Sequence, residues 1–193
     1  MGRKIHIGEV RSFAATTPVF TSGDVERLVG DRGYALLLLH NMVKRGELHR
    51  ISRGYYSLHD DPTLTVFTMR PAYLGLQDAL STRGLWEQET NAVVVTTSKA
   101  KPGTRRVMGS NVVVHRINPR FFFGYDYLLD KAGGFYVPVS DLEKTLIDLV
   151  YFGESPGREI LSGLAARADR KLLAEYLSRY DGAFQTTFRR SLR

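Results

Sequence analysis

The sequence predicts an α+β protein in which an N-terminal winged helix-turn-helix precedes a mixed α/β domain with a small sheet and C-terminal helices. Helical periodicity between residues 21 and 46 predicts the first helices. Two short apolar strands around Ser52-Arg53-Gly54 predict a hairpin. β-branched runs beyond residue 90 predict a sheet. Together these observations indicate helices at both ends of the chain and strands between them.

Capping residues define the N-terminal helices. Thr21 or Ser22 can cap a helix that ends at Gly30, and a weaker pattern over Gly8 to Ala15 predicts a short helix before it. Asp31 can cap the next helix, which ends at Gly46 and has an apolar stripe at i, i+3, i+4, i+7 and i+8. The stripe consists of Ala35, Leu38, Leu39, Met42 and Val43. Leu48 to Ile51 and Tyr55 to Leu58 follow as the two strands of the hairpin.

A polar stretch closed by proline, His59-Asp60-Asp61-Pro62, predicts a boundary between domains 1–60 and 61–193. Beyond it we expect a helix over Ala72 to Arg83 and a basic loop over Lys99 to Arg106. Four runs are expected as strands: Ala92 to Thr97, Val112 to Ile117, Phe121 to Phe123 and Phe135 to Val139. Ser140 and Glu143 have the spacing of a capping box that opens a helix. Helices are expected from Arg158 to Ala166, from Asp169 to Tyr180 and from Ala183.

The charge balance permits a polyanionic partner. The 193 residues include 27 Lys and Arg against 20 Asp and Glu, a net charge of +7. Residues 1–59 carry nine basic and five acidic residues, so the excess is greatest in the N-terminal third. The absence of cysteine excludes disulfides and cysteine zinc sites, which favours a cytoplasmic location. No apolar run approaches about 18 residues, so no membrane span is expected.

A winged helix-turn-helix has the dimensions to bind duplex DNA, because its second helix fits the major groove and its hairpin reaches the adjacent backbone. Side chains outside the apolar stripe, and those of the wing, are the expected DNA contacts: Arg32, Tyr34, His40, Asn41, Lys44, Arg45, Arg50, Ser52 and Arg53. Two other interpretations stay open: these charged side chains could simply be solvated, or the module could bind a protein.

Leu36 and Leu37 lie on the helix face expected to approach DNA. They could pack on the second domain, on a partner or on thymine methyl groups.

Two further groups of residues have several interpretations. Lys99, Lys101, Arg105 and Arg106 form a second basic patch, which could be a solvated loop, a phosphate contact or a partner surface. An aromatic group could stack on bases, although such residues more often fill the core of a small sheet. It comprises Phe121, Phe122, Phe123, Tyr125 and Tyr127.

The sequence gives no sign of an active site. It has no H-E-x-x-H, no phosphate-binding glycine loop and no nucleophile elbow, so no catalytic residue, metal or cofactor is expected. Asp141, Glu143 and Asp148 with Lys144 could serve a metal-dependent nuclease, which is the least favoured alternative. The stronger interpretation places Asp141 and Glu143 in the first turn of a helix, where they complement its dipole and complete its cap.

Several segments, in order, resemble the AbiEi family of antitoxins and transcriptional regulators of abortive-infection, type IV toxin–antitoxin systems. The resemblance runs from about residue 20 to residue 180. It begins with Met42-Val-Lys-Arg-Gly-Glu-Leu48 and Arg50-Ile-Ser-Arg-Gly-Tyr-Tyr-Ser-Leu58. It continues through Tyr73 to Leu85, Val93 to Lys99, His115 to Ile117, Phe122 to Gly124 and Val139 to Leu149.

The resemblance implies a function without catalysis. The winged domain of the family binds inverted repeats in the promoter of its own operon and represses it, and the C-terminal domain acts as the antitoxin. The implied partners are double-stranded operator DNA and a nucleotidyltransferase-like toxin. A homodimer or a cooperative assembly on DNA is left open. The alternative from another class is an antitoxin that binds protein only.

Overall fold

A computed structural model describes residues 3–88, 90–130, 133–154 and 156–192, with side chains from residue 6 onward. The predicted fold class is confirmed: helices open the chain, strands dominate its middle and helices close it. The helices are α1 (Arg3–Thr16), α2 (Ser22–Val29), α3 (Arg32–Lys44), α4 (Leu76–Thr82), α5 (Leu142–Tyr151), α6 (Arg158–Ala165), α7 (Arg170–Leu177) and α8 (Gly182–Ser191). The strands are β1 (Phe20–Thr21), β2 (His49–Ser52), β3 (Tyr55–Ser57), β4 (Ala72–Leu74), β5 (Ala92–Thr96), β6 (Gly103–Val107), β7 (Ser110–Arg116), β8 (Tyr125–Asp130) and β9 (Phe135–Ser140).

The N-terminal helices begin at the predicted capping residues. Thr21 and Asp24 form a reciprocal capping box at α2, and Gly30 ends that helix with a left-handed backbone. The Asp31 carboxylate accepts the backbone N–H of Tyr34 at 2.6 Å and caps α3. The apolar sides of the three helices meet in one core with Phe20 of β1 and Leu48, which directly precedes β2. Its buried members are Val10, Ala14, Phe20, Val25, Ala35, Leu38, Leu39, Met42 and Leu48.

The predicted hairpin of β2 and β3 is present, and β1 adds a third strand in the order β1-β3-β2. Phe20 lies opposite Tyr56 in an antiparallel register. The sequence does not predict β1, because a two-residue strand directly before a helix cap has no periodicity of its own.

A mixed six-stranded sheet forms the centre of the remaining chain, in the order β6-β7-β5-β4-β9-β8. The inner pairs β5–β7 and β4–β9 are parallel, whereas β4–β5 and the outer pairs are antiparallel. Alternate residues of each strand face opposite sides of the sheet, so the sheet contributes to two cores. Leu74 and Val94 face the winged segment, whereas Tyr73 and Val95 face the C-terminal helices.

Four predictions for the second half are wrong in detail. Ala72 to Leu74 is a central strand, and the expected helix begins only at Leu76. Part of the expected basic loop forms the edge strand β6. Phe121 ends a 3-10 helix (Pro119–Phe121), and the strand expected at the phenylalanines begins at Tyr125. The first two errors have one cause: short strands that are buried on both faces, or polar at an edge, lack a clear alternation.

The fourth error concerns the cap of α5. Asp141, not Ser140, accepts the backbone N–H of Lys144, at 2.7 Å. Ser140 is the last residue of β9, and its hydroxyl bonds with Thr145. The Glu143 carboxylate accepts the backbone N–H of Asp169 at 2.6 Å, so it fastens the start of α7 instead of completing the expected box.

The expected boundary at residue 60 lies within continuous packing. Ile51 of β2 is only 4% exposed and belongs to the same buried cluster as Leu74 and Val94 of the large sheet. The ring of His59 contacts that of Phe135 edge to face at 5.0 Å. The division into 1–60 and 61–193 stays a prediction about folding units. Among the described helices, none is both long and apolar enough to cross a membrane.

Candidate nucleic-acid interface

One face of α3 is open to solvent and carries cationic groups at its ends. Arg32, Leu36, His40 and Lys44 are exposed and follow one another at intervals of four residues. Residues four apart on a helix lie on one side, so these side chains form a row along α3. Leu37 borders the row and is 51% exposed, and Leu36 is 46% exposed. No other part of the described chain covers this face enough to bury it.

The opposite side of α3 fixes the helix in place. Ala35, Leu39 and Met42 are fully buried in the N-terminal core. Because these anchors and the Asp31 cap hold the backbone, the exposed row keeps one orientation relative to α2. That rigidity is what a helix needs to place side chains at fixed positions in a groove.

Tyr34 and Asn41, which are expected to contact DNA, are less exposed than the row of side chains on α3. Tyr34 lies about 200° around α3 from Arg32, because each residue advances about 100°. Its ring packs edge to face on His6 of α1 at 5.8 Å, and it borders the N-terminal core. Asn41 is half-buried. Base contacts by Tyr34 and Asn41 stay predictions, and the position of Tyr34 does not favour one.

The wing places two arginines on the surface. Gly54 takes φ +81 at the turn, a conformation that residues with a side chain rarely adopt. The preceding residue, Arg53, is exposed and makes no ion pair or side-chain hydrogen bond with the described residues. Arg50 is exposed too, and its Nε donates to the carbonyl of Ser52 at 3.3 Å. The Gly54 carbonyl accepts the N–H of Ser22 at 3.0 Å, which ties the wing turn to the start of α2.

Arg45 differs from its neighbour Lys44 because it has an acidic partner. Its Nε donates to Glu47 at 2.5 Å, and Arg11 of α1 donates to the same carboxylate at 2.7 Å. The hydrogen bonds from Arg11 and Arg45 lower the pKa of Glu47 below its usual value. Lys44 is exposed and has no ion pair within the described residues. The charge of Lys44 is therefore freer for a phosphate than that of Arg45.

The second basic patch is divided by its own secondary structure. Arg105 and Arg106 are neighbours in β6, so their side chains leave opposite faces of the sheet. Arg105 also donates to the carbonyl of Lys101, which closes the loop before β6. Lys99, Lys101 and Arg106 are exposed. The role of these residues stays a prediction.

The acidic residues considered for a nuclease are engaged in the protein interior. Lys144 and Asp148 are fully buried and form an ion pair, and the hydroxyl of Tyr73 donates to Asp148 at 2.7 Å. Burial lowers the pKa of Lys144 and raises the pKa of Asp148. Asp141 caps α5 and accepts the hydroxyl of Tyr176 at 2.8 Å. Within the described ranges, no three His, Asp or Glu side chains are placed to hold a metal ion.

The aromatic group at the start of β8 and in the segment before it packs mainly on the C-terminal segment. The ring of Phe121 stacks on Tyr180 with centroids 4.0 Å apart, and Phe123 meets Tyr176 edge to face at 5.0 Å. Of the five rings, Tyr127 is the most exposed, at 63%. Sequence reasoning missed the partners Tyr176 and Tyr180, because they are over fifty residues away in the chain and no local pattern links them.

Comparison with known proteins assigns the winged segment. Residues 9–59 match the family model described as "Transcriptional regulator, AbiEi antitoxin", which confirms the resemblance over about a quarter of the chain. Among curated proteins, none matches the sequence. The crystal structure of the RV2827C protein from Mycobacterium tuberculosis has a similar fold, with a TM-score of 0.62 and 16% sequence identity. That likeness covers 97% of this chain and 76% of that one.

Proposed function

We propose, from the match of residues 9–59 to AbiEi antitoxin regulators, that this chain is a repressor that binds double-stranded operator DNA. In this proposal α3 enters the major groove, and Arg50 and Arg53 of the wing contact the phosphate backbone. The chain also acts as the antitoxin of a nucleotidyltransferase-like toxin. Both the DNA and the toxin are partners that the family resemblance implies.

The open row on α3 is the observation that carries the proposal. Arg32 and Lys44 stand at opposite ends of a 13-residue helix, about 18 Å apart along its axis. That span suits contacts with phosphates on either side of a major groove about 12 Å wide. His40 lies between them and can reach base edges, while Leu36 and Leu37 offer apolar contact to thymine methyl groups.

A titration with the intergenic DNA upstream of the operon tests DNA binding. We expect a complex at low salt that survives competition by unrelated duplex better than a complex on scrambled DNA does. Affinity should fall with salt at a log–log slope of about −0.9 per phosphate neutralised. No complex at low salt would instead favour the docking function, in which Leu36 and Leu37 contact a protein.

Co-expression tests the antitoxin function separately. A nucleotidyltransferase-like toxin encoded in the same operon should stop growth alone and permit growth when this chain is co-expressed. The matched control is the charge-reduced variant Arg32→Ala with Arg53→Ala. If repression and neutralisation are separate functions, that variant loses DNA binding and still rescues growth.

A further inference from the structure

A cavity of about 660 Å³ lies between the winged segment and the open end of the large sheet. Its wall includes Pro18, from the turn that joins α1 to β1, and Pro138 of β9. The volume is within the range of about 300–1,000 Å³ that is typical of small-molecule sites. The winged segment and the sheet both contribute to it, and such junctions are frequent locations for ligands.

Aromatic rings and one guanidinium dominate the lining of this cavity. The residues are Phe67, Arg70, Phe122, Tyr125, Tyr127 and Tyr136. Among the described residues of the lining there is no carboxylate, and Arg70 is their one charged side chain. A lining of this kind attracts an anion and offers flat apolar surfaces to a ring.

The polar side chains of the lining make no hydrogen bond or ion pair with other described residues. The Arg70 guanidinium lies over the ring of Phe67 at 5.0 Å and has no ion pair or side-chain hydrogen bond with the described residues. Tyr127 and Tyr136 are 63% and 61% exposed, although each is a large aromatic residue. Their hydroxyls, like that of Tyr125, donate to no described residue. The lining therefore includes one arginine and three tyrosines whose side-chain donors have no partner among the described residues.

The exposed rings have a specific structural origin. Tyr127 lies opposite Pro138 in the β8–β9 register, and Leu129 lies opposite Tyr136, so all four occupy one face. That face is covered by helices over β4 and β5 but left open at β8 and β9, where Tyr127, Leu129 and Tyr136 are at least half exposed. Large rings open to water on a rigid sheet are typical of a binding surface.

We propose that this cavity binds a nucleoside monophosphate. The base would stack on the tyrosines, and the phosphate would accept hydrogen bonds from Arg70. The phenol hydroxyls can donate to or accept from ring nitrogens and ribose hydroxyls. A small aromatic acid supplies a ring and an anion too, but it leaves most of the volume unfilled. A base, a sugar and a phosphate occupy more of the cavity and match all three kinds of group.

The neighbourhood of Arg70 also connects the cavity to the winged segment. Phe67 and Arg70 line a second cavity of about 290 Å³ together with Thr21 and Tyr55. Thr21 caps α2 and Tyr55 belongs to the wing. Arg70 therefore lines both cavities, and the second of them is shared with two elements of the winged helix-turn-helix. The site itself requires no DNA binding and can be tested without it.

Calorimetric titration of the full chain with AMP, GMP, CMP and UMP tests the site. At least one monophosphate should bind, and the matching nucleoside without phosphate should bind about ten to a hundredfold more weakly, because it lacks the charge-assisted hydrogen bonds. Arg70→Gln should weaken the nucleotide by a similar factor and leave the nucleoside unchanged. Tyr136→Ala should weaken both by about fivefold or more, since it removes a stacking surface. Arg167→Gln, which alters an exposed arginine elsewhere, should change neither.

Three results would overturn the proposal. The first is no heat of binding from any monophosphate at millimolar concentration. The second is binding that Arg70→Gln and Tyr136→Ala leave intact while the variants' circular dichroism matches that of the original chain. The third is binding of a single-stranded oligonucleotide, without any mononucleotide binding, which would identify a nucleic-acid surface instead. Gel shifts with operator DNA are a separate measurement, so failure here and failure of the repressor function can be told apart.

Discussion

Lys144 and Asp148 form an ion pair that is completely removed from solvent. They lie one turn apart on α5, between the large sheet and the C-terminal helices. Tyr73 of β4 donates to the carboxylate, and the Lys144 ammonium donates to the hydroxyl of Tyr180 at 3.2 Å. The pair thus joins the sheet, α5 and the segment before α8 through one polar cluster. Its charges are compensated by each other and by the two tyrosine hydroxyls, which accounts for their burial.

Lys144→Met should destabilise the protein by about 3–5 kcal/mol, because it leaves the Asp148 carboxylate buried and unpaired. The double variant with Asp148→Asn should regain most of that loss, since the amide oxygen still accepts from Tyr73 and no net charge stays buried. Chemical denaturation of both variants measures the difference. Glu175→Gln, in the exposed pair of Glu175 with Arg179, is the control and should cost less than about 1 kcal/mol. A double variant as unstable as the single one would contradict this account.

Asp78 should make stability depend on pH. Burial raises its pKa to about 7 even though its carboxylate accepts the N–H of Val93 at 3.0 Å. The folded protein therefore holds a proton that the unfolded chain releases near pH 4, so stability should fall as the pH rises from about 4 to 7. The upper bound is about 4 kcal/mol, for a shift of three units.

Asp78→Asn separates this effect from the other titrations. It should flatten the pH dependence between about 4 and 7 and leave the protein more stable than the original at pH 8. Thermal unfolding at several pH values checks it, with the exposed Glu159→Gln as the charge-removal control. An unchanged slope in Asp78→Asn would show that other groups cause the pH dependence.

Arg53→Ala should weaken binding to specific and unrelated duplex by a similar factor. A wing arginine on a phosphate contributes charge without reading sequence, so the salt slope should become about 0.9 less steep. Fluorescence anisotropy at several salt concentrations measures both quantities. Arg167→Ala removes an equal charge far along the chain and should leave the slope unchanged. Equal slopes for the original and Arg53→Ala would remove the wing from the interface.

Leu37→Ala should reduce binding to operator DNA with little effect on the stability of the fold. The side chain is 51% exposed, so its removal should change stability by less than about 1 kcal/mol. On operator DNA it should lower affinity and reduce the preference for thymine at one position. Leu38→Ala, one residue away and 5% exposed, should cost about 2–5 kcal/mol of stability. If Leu37→Ala binds DNA as the original does but loses the toxin, Leu37 belongs to a protein interface.

Ile51→Ala should lower the free energy of unfolding of both halves of the chain together. Its side chain is buried in the core of the large sheet, and we expect a loss of about 2–5 kcal/mol with one cooperative transition. Ile160→Ala, at a 42% exposed position, is the matched control and should change little. Two separate transitions, with only the first displaced, would show that residues 1–60 fold alone.

The sequence was most informative where structure is local. Thr21 and Asp31 cap their helices as expected, and the stripe from Ala35 to Val43 faces the core, because caps and helical periodicity depend on residues within one or two turns. The exposed positions of Arg32, Lys44 and Arg53 follow from the same periodicity and from the glycine turn.

The rest depends on contacts that are distant in the chain. Ala72 to Leu74 reads as helix by composition but becomes a strand because β5 and β9 pair with it on either side. Glu143 has capping-box spacing, yet it bonds to Asp169, 26 residues later. The cavity at Arg70 combines four separate segments, and no spacing in the sequence indicates that Phe67 and Tyr136 share it.

The inward side chain of Ile51 has a mechanical consequence. The ladder has a bulge here: Arg50 lies opposite Tyr56 and Ser52 opposite Tyr55, so Ile51 is the extra residue of β2. Arg50 beside it is exposed. The burial of Ile51 therefore anchors the backbone of β2 to the core of the large sheet just before the wing turn. A partner that deforms the central sheet would shift the angle of the hairpin, so strain could pass between the two halves of the molecule without a hinge.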